Sequence, residues 1–492
     1  LKQEHQSDVA RARALLALAA AFASWGSPGV ARARDSAETS DRPSIAIESV
    51  AVVDVVRGEI LSPRTVLIVD GRIAAIMEPD AITIPPAALR VDGRGRYLLP
   101  GLVDMHVHLF NNASRRPPND WAFPLFVANG VTGVREMRTE PAQIVTVEGW
   151  RTKASRGEIV APRVLAAGVA VSGERTPGNA PDTGAATGNT ARQQVRKASA
   201  AGAGFIKVFS EVREPQWRAI LEEARVLQIP VCGHIPAEVG LLEAATAGQR
   251  SNEHLTQVYE ACSAREKEWL DARKRAKDAE LVKLRETQER PVLESFDQSV
   301  CDRTATALSK TEQVQVPTLV LYYFEAQGLP KNFREDPGWR YLRADEQARW
   351  ERIFKEEYPS ASDKLSARRW AVSRQVVKTL HAAGVKILAG TDAPMPQVYP
   401  GFALHKELEL LVEAGVSPAD ALRSATIWPA DFLGLNDSIG SIATGKCADL
   451  LLLDGNPLSD ISQTQRIRAV VLDGRLLQRA DLDRLLNAAP GK

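Results

Sequence analysis

The stretch Leu99-Pro100-Gly101-Leu102-Val103-Asp104-Met105-His106-Val107-His108 sets the tightest limit on how this chain can fold. Its short apolar run reads as a β-strand. Side chains on a strand alternate, so Asp104, His106 and His108 share one face while Val103, Met105 and Val107 share the other. Two imidazoles on one strand face are placed to hold a single metal ion. A pair of strand histidines with no ligand role is the competing reading of this motif alone.

Four more ligand-type residues bear on that choice. Lys207 is centred in Gly204-Phe205-Ile206-Lys207-Val208-Phe209. Burial there favours its neutral amine, the form that captures CO2 as an anionic, bidentate carbamate. A snorkelling edge lysine is the alternative. His234 lies in Pro230-Val231-Cys232-Gly233-His234-Ile235, and His254 closes Ser251-Asn252-Glu253-His254. Asp392 closes Val385-Lys386-Ile387-Leu388-Ala389-Gly390-Thr391-Asp392. Each alone is explained as a cap or structural residue. Together they repeat one arrangement, a ligand-type residue at the C-terminal end of a strand-like run, at helix-sized intervals. A (β/α)8 barrel keeps its active site there.

On these motifs the chain resembles the amidohydrolase superfamily of metal-dependent hydrolases, in its imidazolonepropionase-like and prolidase-like branch. The resemblance rests on PGLVDMHVH, IKVF, GHIP, NEHL and AGTDAP, and continues through Gly440-Ser441-Ile442, Gly445 to Leu450 and Asp454-Gly455-Asn456-Pro457. It implies an α/β fold, a (β/α)8 TIM barrel with a small β-sandwich domain built from both chain ends. It further implies that His106, His108 and Asp392 hold one divalent cation and His234 and His254 another. Lys207, as N6-carboxylysine, would bridge them. Such ligands suit Zn2+, and Mn2+, Co2+ or Ni2+ fit similar geometry.

The strand runs support this division. Residues 45–56 and 65–77 are broken by Asp70-Gly71, and residues 446–454 and 467–478 carry Asp473-Gly474, both hairpin signals. Barrel strands are expected near 102–109, 131–137, 163–170, 205–209, 230–235, 250–255, 316–322 and 385–392. The expected units are a signal peptide over 1–33, sandwich segments over 44–99 and 436–482, and the barrel over 100–435. Helical insertions fall near 262–301 and 330–365. In the first, Trp269, Ala272, Ala276, Ala279, Leu281 and Leu284 recur at near-helical spacing, which predicts one solvated helix with a narrow apolar seam. The second has a helix near 340–357 with Trp350 and Phe354. Both follow strands on the catalytic side, so they read as lid, wall or homo-oligomer contact. Cys262 and Cys301 flank the first insertion and would staple it as a disulfide; two free thiols are the alternative.

The leader reading rests on Arg11 and Arg13 before an alanine- and leucine-rich run, with small residues Ala31 and Ala33 marking cleavage. It predicts a periplasmic or secreted enzyme. A net charge of +1 gives no reason to invoke nucleic acid, and no run of 18 apolar residues predicts a membrane span.

The expected chemistry is hydrolysis of an amide bond in a small peptide-like or N-acyl amino acid substrate. A hydroxide bridging two cations is the nucleophile and Asp392 shuttles the proton. A lactone, carbamate or phosphotriester hydrolase uses the same site, and an inactive barrel acting as a binding protein is the reading from another class. Tyr322 and Tyr323, expected to end strand seven, and His405, at the start of a helix, are candidate substrate contacts; one tyrosine in the core and His405 on the helix surface are the alternatives. Asp104 is expected to support the histidines without binding metal.

Overall fold

The computed structural model describes residues 43–79, 81, 83–110, 117–173, 186–328, 332–356 and 364–488. The expected leader over 1–33 lies outside the described residues.

Two Asp-Gly turns shape the chain ends. Asp70 and Gly71 take φ of 48° and 73°, and Asp473 and Gly474 take 50° and 70°. Positive φ at both central residues matches the right-handed twist of the flanking strands. The first turn joins β2 (Glu59–Val69) to β3 (Arg72–Met77), after β1 (Ile45–Asp54) and before β4 (Leu89–Asp92) and β5 (Tyr97–Pro100). The second joins the last two strands of the chain. A Cβ on Gly474 would lie 2.4 Å from Gly71 Cα, so the two turns abut and only glycine fits.

The barrel follows immediately. β6 (Leu102–Val107), β7 (Val131–Thr139), β8 (Arg163–Val171), β9 (Phe205–Val208) and β10 (Val231–Gly233) form a parallel sheet in sequence order. β11 (Ser251–Glu253) pairs in parallel with β12 (Val314–Val316). Hydrogen bonds outside these ladders complete the circuit. Arg250 N donates to Val231 O at 2.7 Å, linking β10 to β11. Residues 385–393 run between β12 and β6, with Leu388 N on Gln315 O at 2.9 Å and Met105 N on Ala389 O at 2.9 Å. Gly390 permits this closure, since a Cβ there would sit 2.9 Å from His106 Cβ. The result is an α/β barrel-like fold. Every residue of β6 and β9 is buried, as expected for parallel strands covered on both faces.

β13 (Leu450–Leu453), β14 (Ile467–Leu472) and β15 (Arg475–Gln478) complete the small layer. β13 pairs antiparallel with β5, so both chain ends enter one eight-stranded sheet, β15-β14-β13-β5-β1-β2-β3 with β4 beside β1. Its own apolar core contains Ile45, Val52, Ile73, Leu98, Leu450 and Val471. The hydrogen bonds define one continuous sheet and do not define the two layers of the expected sandwich.

The first insertion is two helices where one was expected. Glu266–Arg275 ends at Ala276, whose ψ of 143° is extended, and Asp278–Glu294 starts afresh with Lys277 N donating to Glu280 Oε2 at 3.4 Å. Gln298–Leu308 follows, and Cys262 and Cys301 are joined as a disulfide. Arg273 anchors the pair of helices. Its guanidinium is buried and donates to Glu260, Gln257, Gln288 and the Ala237 carbonyl at 2.7–3.1 Å. Ala237 and Gln257 each follow a candidate ligand by three residues, so Arg273 ties the insertion to the segments after His234 and His254. In the second insertion the helix Ala344–Glu356 buries Trp350 and Phe354, with the Trp350 ring 5.1 Å from Tyr399.

Candidate metal centre

Six side chains named from the sequence lie at or just past the C-terminal ends of strands: His106 and His108 at β6, Lys207 on β9, His234 after β10, His254 after β11 and Asp392 in the closing segment. Four imidazoles form a continuous row. Ring centroids are 5.3 Å apart for His108 and His106, 4.5 Å for His106 and His254, and 5.1 Å for His254 and His234.

His106, His108 and Asp392 are the tightest group. One ligand atom from each lies within 4.8 Å of the others. Asp392 Oδ1 is 3.1 Å from His106 Nε2 and 2.8 Å from His108 Nε2. These approaches are short but lack hydrogen-bond alignment, and Asp392 Oδ1, His106 Nε2 and His108 Nδ1 are buried without a hydrogen-bond partner. Buried polar atoms left unsatisfied are costly. A divalent cation would satisfy Asp392 Oδ1 and His106 Nε2 together, so the donor set fits the metal that the sequence implies.

The imidazoles are held in the ligand form. Burial lowers His108 to about 4 and His254 to about 3, and drives His234 well below its ordinary value. At neutral pH all three are uncharged. His254 Nδ1 meets Thr318 Oγ1 at 2.8 Å and His234 Nδ1 meets Ser210 Oγ at 3.2 Å, which leaves Nε2 of each to a ligand. Burial would raise the Asp392 carboxyl, but the surrounding imidazoles outweigh it and hold the group well below the usual carboxylate range.

Lys207 is 1% exposed, and burial lowers its amine to about 8. The amine lies 5.3 Å from the centre of the Phe209 ring. Gly233 makes room for the side chain, because a Cβ there would stand 2.7 Å from Lys207 Cδ. A buried amine partly neutral near pH 8 is the species that reacts with CO2.

The turns that present these groups are strained. His254, Leu255, Thr318 and Asp392 have φ of 59°, 52°, 50° and 67°, in the left-handed region that non-glycine residues avoid. Thr318 is β-branched, where the cost is greatest, and its hydroxyl is the one that holds His254. Strain of this kind persists where surrounding structure enforces it.

Asp104 supports the site as expected. It is fully buried and accepts from Thr391 N at 3.1 Å, Thr391 Oγ1 at 2.6 Å and His106 N at 3.1 Å, tying β6 to the segment that ends in Asp392. Burial raises it to about 7.

Three sequence expectations need correction. Tyr322 and Tyr323 do not end strand seven; they lie on the helix Leu319–Gln327. Pro317 lacks an N–H for the ladder and Thr318 turns the chain, so the apolar run after it is helical. Tyr322 still reaches the site's edge, donating its hydroxyl to the His254 carbonyl, whereas Tyr323 packs on Trp370 at 5.7 Å. His405 is no substrate contact: both ring nitrogens are taken, Nδ1 by Thr464 Oγ1 and Nε2 by the Asn129 carbonyl, each at 3.0 Å.

Sequence reasoning assigned no role to Glu253, Arg135 or Glu136, all buried around the site. Glu136 accepts from Leu109 N and, at 2.6 Å, from Arg138 N, fixing the loop after His108. The signal that could have found them is charge inside strands that otherwise read as apolar.

The amidohydrolase family profile matches residues 97–477. This chain belongs to the amidohydrolase family. The amidohydrolase also resembles solved structures over most of its length. A protein assigned as a prolidase in Bifidobacterium longum is 25% identical with a TM-score of 0.60, covering 91% of this chain and 99% of that one. A bottromycin amidohydrolase is 25% identical with a TM-score of 0.67, covering 91% of each. Among curated relatives, human N-acetylglucosamine-6-phosphate deacetylase is 32% identical over 106 residues. That match spans 22% of this chain and 22% of the relative's length.

Proposed function

We propose that this amidohydrolase is a dinuclear metal-dependent hydrolase that cleaves an amide bond in a peptide-like or N-acyl amino acid substrate. The observation that carries the proposal is the convergence of His106, His108, His234, His254, Lys207 and Asp392 at strand ends, with buried, unsatisfied atoms on three of them. His106, His108 and Asp392 would hold one ion, His234 and His254 the other, with Lys207 carboxylated by CO2 between them. Zn2+ suits these donors, and Mn2+, Co2+ or Ni2+ would fit. When bound, the ions supply an acidified water and polarise the substrate carbonyl.

The chain's own residues do the rest. Asp392 accepts the proton of the attacking water and returns it to the leaving nitrogen, the role of a general base that becomes a general acid. Glu253 and Thr318 orient His106 and His254 through Nδ1. The insertion latched by Arg273 limits one side of the mouth and sets substrate size. The amide preference is supported by likeness to the Bifidobacterium longum protein assigned as a prolidase. We assign the barrel to residues 100–435 and the small domain to 44–99 with 436–482. The leader-like segment and the Cys262–Cys301 disulfide favour a periplasmic or secreted location.

The test is a hydrolysis screen of metal-loaded protein over Xaa-Pro and other dipeptides, N-acyl amino acids, lactones, carbamates and phosphotriesters. Metal-dependent release of an amine from an amide substrate is expected. Turnover confined to lactones or phosphotriesters would overturn the amide assignment.

A further inference from the structure

One contact separates His106 from the other imidazoles of the row. His234 and His254 offer Nδ1 to neutral hydroxyls, of Ser210 and Thr318. His106 offers Nδ1 to a carboxylate, Glu253 Oε2, at 2.9 Å. Glu253 is fully buried and sits inside the barrel on β11. Its oxygens receive Arg135 Nη2 at 2.9 and 3.0 Å, and Oε1 also receives the Ser251 hydroxyl. Arg135 is itself fully buried on β7. Its Nε donates to the Met105 carbonyl at 2.6 Å, and its guanidinium lies between the rings of Phe205 and Phe432, at 5.5 and 5.4 Å.

This arrangement is a poor way to gain stability alone. A buried ion pair loses about as much in desolvation as it regains in attraction, and apolar replacements of like volume are often neutral or better. What the pair does secure is direction. With every donor to Glu253 fixed by the barrel wall, the carboxylate can only accept from His106. The ring proton is therefore on Nδ1 and the Nε2 lone pair faces Asp392 Oδ1. An anionic acceptor also makes the imidazole more electron-rich than a hydroxyl does.

We infer that Glu253, clamped by Arg135, is a positioning residue that fixes the tautomer of His106 and tightens the ion held by His106, His108 and Asp392. It makes that ion the tighter of two. The inference rests on the dinuclear reading for its metal consequence, but its tautomer consequence stands without metal.

Two measurements test it. In metal-free protein, 15N-histidine NMR assigned with a His106→Gln control should place the His106 proton on Nδ1. A proton on Nε2 would overturn the inference whether or not the protein binds metal. Arg135→Met/Glu253→Leu replaces the pair by apolar side chains, and Glu253→Gln removes the charge while keeping an acceptor. The double variant should keep a wild-type thermal midpoint without metal, yet lose about 10–100-fold in affinity for one ion. Its Co2+ form should show a shifted visible spectrum, and Glu253→Gln should fall between it and wild type. A folded double variant that binds both ions as wild type does would show a purely structural pair. If the double variant does not fold, the tautomer measurement decides. Failure of the wild type to take up any divalent ion would remove the proposed function and leave the tautomer result to judge Glu253.

Discussion

At the residue scale, chemistry concentrates on Asp392 and Lys207. Asp392 approaches both His106 and His108 and is the one carboxylate of the tight group. Asp392→Asn keeps an oxygen donor and removes the base, so turnover should fall by roughly 10²–10⁴. Metal content, read by elemental analysis, should fall less than in His106→Ala; unchanged turnover with metal retained would mean that another group moves the proton. Lys207→Ala should lose activity together with much of its metal, and acetate or propionate should partly restore both by standing in for a carbamate. A Lys207→Ala enzyme with full turnover and full metal content would dismiss the bridge. These residues were legible because an imidazole, amine or carboxylate inside an apolar strand is costly to bury unless something binds it. Glu253 was hidden by its neighbour: it lies beside His254 in sequence, yet His254 leaves the strand at φ 59° while Glu253 stays inside the barrel.

At the element scale, the turn residues were the most readable and the helix–strand choice the least. Both Asp-Gly hairpins form where composition placed them, because only a residue tolerant of positive φ fills those positions. Leu319 to Tyr322 was misread as the end of strand seven because a short buried apolar run has no periodicity to separate strand from helix. The helix it forms starts on a buried carboxyl group, since Glu407 accepts Leu319 N at 3.0 Å and Val320 N at 2.8 Å. Burial raises Glu407 from 4.5 to about 8. Its proton is held more firmly folded than unfolded, so its stabilising contribution is complete below pH 4.5 and is lost as pH rises towards about 8. Denaturant titrations should therefore show less decline in stability over that window in Glu407→Gln than in wild type. An identical slope in the two would show that Glu407 does not set it.

At the scale of the whole molecule, the ordered sequence of motifs constrained the barrel and the pairing of the two chain ends. β5 and β13, separated by most of the chain, are neighbours because their apolar strands bury a shared core. The closing segment, expected as a strand over 385–392, pairs only through isolated bridges at Ile387 and Ala393 and a few hydrogen bonds. The insertion after β11 was less legible. Its charge pattern suggested a solvated helix, while its position depends on the buried guanidinium of Arg273, a residue that composition places on the surface. Whether six side chains from five places on this barrel act as one dinuclear centre decides the chemistry of the site. Elemental analysis of protein loaded with Zn2+ and bicarbonate tests it most directly. Two ions per chain are expected in the active enzyme; one ion in a fully loaded, fully active enzyme would rule the dinuclear centre out.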